Sequence, residues 1–395
     1  QARSAWVVLL LGQLPSHRAN LHRTFQQVGA GTLGNDFTDR YEEWEEAYVE
    51  YLEGISSSDE SEQPEPNQGA TLLDMVDEKE RLLRRFGIDD LFAGMKAQEN
   101  AVATALFGVL ANEIDGIWQP TEGSLQLKKG PLSDAADDEE KQKRFALQTV
   151  LECCLAGNLF DAGAAAAVAG VADISNSKQT FERSSDQTGP SSSHQTGPSA
   201  LDATALGETF AEARKVVRRV GDEKGAESGG RASGWRFDSF DALADRATTR
   251  PWRRVVIFCD NAGADVMGMT LLARTLAGLG GSGTKVVLAS NESAALNDVT
   301  HCETVAFLNA VTETPSDQPG GISGTRDALL GAQLNGGQVT CVSSGQVSTL
   351  LDLNRTGSAL NAWISEEMND VPAGNDWLVV FDGMGVRPWA FPKSD

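Results

Sequence analysis

A chain of 395 residues with 41% hydrophobic content is long enough for a sizeable core, as one large or two ordinary domains, and has the composition of a soluble globular protein. Its net charge of −23 argues against a nucleic-acid or anionic-membrane surface. Five cysteines, an odd number without zinc-type pairing, point to a reducing compartment, so a cytoplasmic location is expected.

Residues 6–11 are apolar, too short to span a bilayer and poorly flanked for a signal peptide. They read as a short helix broken at Pro15. The chain begins at Gln1, which reads as a cut or incomplete gene model. From Asp36 the pattern is helical: Tyr41, Trp44, Tyr48 and Tyr51 fall at i, i+3, i+7 and i+10, a stripe that reads as core with an acidic, solvated face between. Residues 55–69 (ISSSDESEQPEPNQG) read as a disordered insertion. Helices are predicted over 71–86, closing at Gly87, and over 100–117, with 125–140 loop-like and charged. A helix over 141–156 leads into Gly157-Asn158-Leu159-Phe160-Asp161, where Asn158 and Asp161 read on their own as helix-terminus residues. An alanine-rich helix over 162–171 follows. Residues 172–200 are low-complexity and carry the direct repeat Gln-Thr-Gly-Pro-Ser, consistent with a disordered loop. Residues 201–219 are helical.

The richest stretch spans 254–303. Residues 255–258 form a short β-branched run ending in Asp260, Asn261, Ala262 and Gly263. Asp265 follows, and apolar residues at helical spacing (Val266, Met269, Leu272, Ala273, Leu276) run into a glycine cluster. A second β-branched run over 285–289 ends in Ser290 and Asn291, with Asn297 and Asp298 close behind. This is a βαβ unit, and open α/β sheets build ligand sites past the carboxyl ends of their strands. Farther on, a short helix over 305–310, a turn-rich loop over 312–324, a strand over 338–342, a helix over 360–368 and a last strand over 377–381 are predicted. That last strand also ends in an acid, Asp382, before Gly383, Met384 and Gly385, whose backbone N–H groups can approach an anion closely.

Asp260, Asn261 and Asp298 offer hard oxygen donors, which suit Mg²⁺ or Mn²⁺. The helix opening near Gly263 presents unpaired N–H groups that favour a phosphate. On spacing alone Asp260 reads first as a helix cap and second as a metal ligand. Cys259 lacks a histidine beside it and reads as a buried strand-end thiol. The DNAGAD turn is not GxGxxG, which argues against a nucleotide-binding oxidoreductase.

These motifs resemble the DUF89 family of metal-dependent damage-control phosphatases, and in particular the branch linked to pantothenate kinases. Residues 259–265 match its DNSGxD signature, Asn291 through Asn297-Asp298 its NxxPxxND turn, residues 157–163 its GNIFDxG, residues 352–355 its DLxR, and residues 382–385 its EGMGR. The departures are Ala262 for serine, Ala294 for proline, Asp382 for glutamate, and the arginine displaced to Arg387. Family members continue past this loop to a phosphate-binding lysine; the chain stops at Asp395, with Lys393 close to its end, so a truncated C-terminus is expected.

The resemblance implies an α/β fold: a doubly wound, Rossmann-like, mostly parallel sheet over 201–395, with an all-helical N-terminal subdomain over 1–171. It implies a phosphomonoesterase using a divalent metal (Mn²⁺, Co²⁺, Ni²⁺ or Mg²⁺) held by Asp260, Asn261 and Asp298. Asp260 and Asp298 are the catalytic candidates, Asp260 as nucleophile or as ligand. Substrate contacts are expected from Asp265, Asn158, Asp161, Ser344, Asp382, Gly383, Met384 and Gly385. The implied substrate is a small phosphorylated metabolite, 4′-phosphopantetheine or its oxidised derivatives, then sugar phosphates such as fructose 1-phosphate. Fusion to or association with a pantothenate kinase domain is the implied partnership, with no nucleic acid or membrane. The competing expectation is a degenerate domain that binds a phosphometabolite without turnover.

Overall fold

The computed structural model describes residues 2–28, 34, 36–58, 70–121, 124–127, 135–160, 203–218, 238–313 and 327–383. Helices α1 (Ala2–Gly12), α2 (Leu14–Val28), α3 (Phe37–Ser58), α4 (Leu72–Arg85) and α5 (Ala93–Ile117) precede an antiparallel pair, β1 (Trp118–Thr121) and β2 (Ser124–Leu127). Helices α6 (Ala135–Phe160), α7 (Ala203–Val217) and α8 (Phe240–Thr249) lead to β3 (Arg254–Phe258). The chain then alternates through α9 (Ala264–Gly280), β4 (Lys285–Ser290), α10 (His301–Thr312), α11 (Ala328–Asn335), β5 (Val339–Ser343), α12 (Ser358–Asp370) and β6 (Trp377–Phe381).

Four of the strands form a parallel sheet in the order β5-β4-β3-β6, with Phe258 paired to Ala289 on one side and Phe381 on the other. Successive side chains of a strand face opposite ways. Val255, Ile257, Val286 and Leu288 therefore enter one core with Val266, Met269 and Leu272 of α9, while Val256, Phe258, Val287 and Ala289 enter another with Leu360 of α12. Both faces are covered, which is why these strands read as continuous apolar runs instead of alternating. The expected doubly wound α/β architecture is present, with β3 and β6 flanking the point where the strand order reverses.

Helix α9 is buried along nearly its whole length and packs most closely on α6. A Cβ on Gly157 would lie 2.5 Å from the Ala264 carbonyl oxygen, and one on Gly268 would lie 2.8 Å from the Cys154 Cα. Two backbones thus meet where only hydrogen fits. This corrects the turn expected at residues 157–160: α6 runs through them, and Asp161 lies outside the described residues. Residues 124–127, expected in a loop, pair as β2, and α6 starts at Ala135, earlier than the apolar spacing indicated. Helix α11 was not foreseen, and Pro15 sits in the first turn of a new helix, where its missing N–H costs nothing.

The N-terminal helices close a separate core. Tyr41, Trp44 and Tyr48 are buried as the spacing predicts, with Trp44 and Tyr48 stacked at 5.7 Å. Helix α3 continues to Ser58 and buries Ile55, so the polar stretch starts later than position 55; residues 59–69 and the low-complexity stretch 172–200 lie outside the described residues. Among the described residues no helix is long and apolar enough to cross a membrane.

His17 is buried against the rings of Trp44 and Phe92. Burial, and secondarily the charge of Lys79, push its pKa well below 6.5. The folded chain then binds fewer protons at this ring than the unfolded chain. Stability from this residue is complete above about pH 6.5 and falls with pH below it, by at most about 1.4 kcal/mol per unit. Between pH 7.5 and 5.5 the wild type is expected to lose thermal stability relative to His17→Phe. Parallel melting curves for the two proteins across that range would contradict the assignment.

Candidate active site

The acids foreseen in the sequence meet at the carboxyl edge of the sheet. Past β3, the backbone of residues 260–262 is stitched to residues 297–299: Val299 N donates to Asp260 O at 2.8 Å and Ala262 N donates to Asn297 O at 3.0 Å. The stitch makes an isolated antiparallel bridge between Asn261 and Asp298. It is this bridge that sets the two motifs, far apart in sequence, side by side. Within the turn, Leu296 is the sole described non-glycine residue at positive φ (51°), and its side chain packs on the N-terminal core. Such backbone strain persists only where the surroundings enforce it.

Asp260 and Asp298 line one cavity with Asn291, Ser344, Ser348 and Asp382. Asn261 Nδ2 donates to Asp260 Oδ2 and to Asp265 Oδ2, each at 3.1 Å. Asn291 Nδ2 donates to Asp298 Oδ2 at 2.8 Å and to Ser348 O at 3.2 Å. Each metal-candidate carboxylate thus has a carboxamide that fixes its rotamer. Past β6, Asp382 Oδ1 accepts from Gly383 N at 3.0 Å and from Asn158 Nδ2 at 3.4 Å, and the side chain also meets that of Asp265. Ser344 is on the cavity wall, and its Oγ accepts from Gln346 N at 3.2 Å.

Three of the expected substrate contacts, Asp265, Gly383 and Asn158, have partners within the chain. Asp265 is buried in the first turn of α9, where the helix dipole favours an acid, and it holds the Asn261 backbone and side chain instead of reaching the cavity wall. It holds Asn261 and also meets the Asp382 side chain. Gly383 N, expected to hold a phosphate oxygen, is spent on Asp382 Oδ1. Asn158 likewise touches Asp382 and orients it. Asp161, Met384 and Gly385 lie outside the described residues.

The electrostatics are those of crowded, desolvated acids. Burial, then the charges of Asp260 and Glu80, push the Asp298 carboxyl well above the usual carboxylate range. Burial also raises Asp382 to about 7, with Asp260 adding to the rise against hydrogen bonds that lower it. No cationic side chain lines the cavity among the described residues. Among the described residues no three His, Cys, Asp or Glu side chains stand close enough together to hold an ion as they are. The available donors are therefore separate carboxylates with carboxamides, a hard-oxygen set that fits Mg²⁺ or Mn²⁺ and not a thiolate metal. An acidic wall with no cationic side chain on it agrees with a cation's place. Cys259 is a buried thiol whose pKa burial pushes far up, so it is no nucleophile.

Sequence reasoning missed Asn291 as a site member, although it lies in the quoted turn, and missed Lys96, Asn100 and Ser348 altogether. Lys96 carried a signal: a lysine in the first turn of a helix, close in sequence to the buried apolar residues Leu91, Phe92 and Met95. Ser348, in a loop without periodicity, carried none.

A family model for the damage-control phosphatase ARMT1-like domain matches residues 18–192 and 222–385, most of the chain. The chain belongs to this family. A damage-control phosphatase of Arabidopsis thaliana is 24% identical over 96% of this chain and 76% of its own length. The mouse 4′-phosphopantetheine phosphatase is 24% identical over 81% of this chain, and rice pantothenate kinase 2 is 27% identical over 58% of it. The chain spans only 28% of the mouse protein and 18% of the rice protein.

In this ARMT1-like domain the tightest constraint on Asp260 comes from Gly383, which has φ 87° and whose Cβ, if present, would collide with Asp260 Oδ2. Gly383→Ala is expected to displace that carboxylate and lower phosphate release by about 100-fold, the scale of an ångström of misplacement. Asp382→Asn, which keeps the shape, serves as the comparison. Full activity in Gly383→Ala would show that Asp260 is not held where turnover needs it.

Proposed function

We propose that the chain is a divalent-metal-dependent phosphomonoesterase acting on a small phosphometabolite, foremost 4′-phosphopantetheine or its oxidised forms. The observation that carries this reading is that Asp260, Asp298 and Asp382 line one cavity at the reversal point of the sheet, with Asn261 bridged to Asp298 and bonded to Asp260. Asp260, Asn261 and Asp298 would hold the cation. When bound, the cation supplies positive charge that polarises a phosphoryl oxygen.

The remaining chemistry belongs to the chain's own groups. Asn261 and Asn291 fix the carboxylates, so little reorganisation is left to the moment of reaction. Asp382, on the cavity wall and raised to about 7, is the candidate general base for an attacking water, with Oδ1 held by Gly383 N and Asn158. Ser344, Ser348 and Thr349 put hydroxyl-bearing residues on the wall, while Phe258 and Leu351 add apolar surface. This mixture suits an ester with a charged head and an aliphatic arm. The resemblance to the mouse phosphopantetheine phosphatase supports the substrate. The match to rice pantothenate kinase 2 supports fusion to or association with such a kinase domain in coenzyme A metabolism. All five cysteines are free thiols, in keeping with a reducing, cytoplasmic setting.

The test is phosphate release from 4′-phosphopantetheine, its S-oxidised forms and fructose 1-phosphate with Mn²⁺, Co²⁺, Ni²⁺ or Mg²⁺. Release is expected to need metal, to stop with EDTA, and to fall by about 10³-fold or more in Asp260→Ala, comparable to losing a main electrostatic contributor. Equal release by mutant and wild type ends the hydrolase reading. Turnover of fructose 1-phosphate alone transfers it to sugar phosphates.

A further inference from the structure

The N-terminal helical layer reaches both halves of the site through one helix face. Lys96 of α5 is fully buried, and its Nζ lies 2.7 Å from Asp90 Oδ2, 2.9 Å from Glu303 Oε1 and 3.4 Å from the main-chain oxygen of Asp298. Glu303 is itself pinned: its Oε2 accepts from Thr300 N and Thr300 Oγ1, both at 2.8 Å, in the capping box that opens α10 two residues past Asp298. One helical turn beyond Lys96, Asn100 Oδ1 accepts from Gly263 N at 2.8 Å. A Cβ on Gly263 would lie 2.6 Å from Glu99 Cβ, so α5 lies directly against the turn after Asn261. Residues four apart share a helix face. One rigid element therefore grips the Asp260–Gly263 turn with Asn100 and the Asp298–Glu303 turn with Lys96.

We propose that Lys96 and Asn100 are positioning residues that set the separation of the Asp260 and Asp298 carboxylates, and so tune the affinity of the site for its cation. The proposal rests on the metal-dependent reading above. Neither side chain lines the cavity, so neither is assigned contact with substrate. Burying a lysine between two acids is a poor way to stabilise a fold, because its desolvation offsets much of the attraction. Such a cluster is better explained by a geometry that must be kept, and Lys96 touches the turn that carries Asp298 at two places. Asn100 adds a neutral hydrogen bond whose loss leaves no buried charge unpaired, which makes it the cleaner residue to vary.

The experiment is Mn²⁺ binding to the full chain, read by the electron paramagnetic resonance signal of free Mn²⁺, with melting temperature and steady-state kinetics alongside. Asn100→Ala and Asn100→Gln are each expected to weaken Mn²⁺ binding by about tenfold or more, the scale for losing a group that orients metal ligands. Asn100→Asp, which keeps an acceptor for Gly263 N, is expected to stay within about threefold of wild type, well inside that scale. Lys96→Met is expected to lower affinity and kcat together, with KM nearly unchanged. If Asn100→Ala does not fold, the Gln and Asp variants carry the test: weak binding by the first and tight binding by the second support the clamp. Wild-type affinity in both Asn100→Ala and Asn100→Gln, with binding lost in Asp260→Ala, overturns the clamp and leaves the metal site standing. Absence of Mn²⁺ binding in the wild type overturns the metal-dependent reading and the clamp together.

Discussion

Like charges gathered out of water are the constraint around which this fold is arranged. Asp260, Asp298 and Asp382 share one cavity, and burial with mutual repulsion holds the latter two above the ordinary carboxylate range. No sequence would drift into that arrangement for stability, since charged acids in a poorly solvated site favour opening. It persists because the groups around it leave the acids nowhere to go. The backbone bridge between residues 260–262 and 297–299, the carboxamides of Asn261 and Asn291, and the contact of Gly383 with Asp260 each remove a degree of freedom.

The sheet supplies the framework for that confinement. Its apolar runs are buried on both faces, so the strands cannot shift register without exposing a core. Fixed register places the residues after β3 and β6 at the same height, Phe258 opposite Phe381, with the two rings stacked at 5.4 Å directly beneath the acids. Chain order then does the rest. Leaving β3, the chain winds toward β4 and β5; it returns to β6 on the other side, so the strand order reverses between β3 and β6, where open α/β sheets place their ligands.

Much of this was legible because the βαβ unit signals itself locally. The β-branched runs, the glycines and the abrupt acids at strand ends are short-range features, and strands β3, β4 and β6 fall within a residue of their predicted bounds. The aromatic stripe of α3 was equally plain, since a 3.6-residue period needs no tertiary knowledge. What the sequence hid was partnership. Asp265 and Asn158 look like ligands because they are polar and stand next to motifs, yet both are turned to support Asn261 and Asp382. The turn expected at Gly157 failed for a related reason: the glycine marks a close crossing of α6 and α9, and nothing in one segment reveals what packs on it. Lys96 could have been flagged as a charge on an apolar face, but Glu303, one of its two counter-ions, comes from elsewhere in the fold.

The helical layer is therefore more than a cover for the sheet. Arg84 of α4 donates to Val347 O at 2.9 Å, beside the Ser348 and Thr349 wall, and Arg355 pairs with Asp77, so α4 and α5 together hold the loops on two sides of the cavity. These contacts cross between the aromatic core of α3 and the acids of the sheet, and most are charged or polar. An apolar interface of the same size would bind the layers more firmly, but it could not orient carbonyls and turns one by one. The polar choice makes sense if the layer's task is geometric, and it follows that stability and function draw on different residues here. The Tyr41, Trp44 and Tyr48 stripe keeps the layer folded, while Lys96 and Asn100, a few ångströms from the acids, give that rigidity a direction.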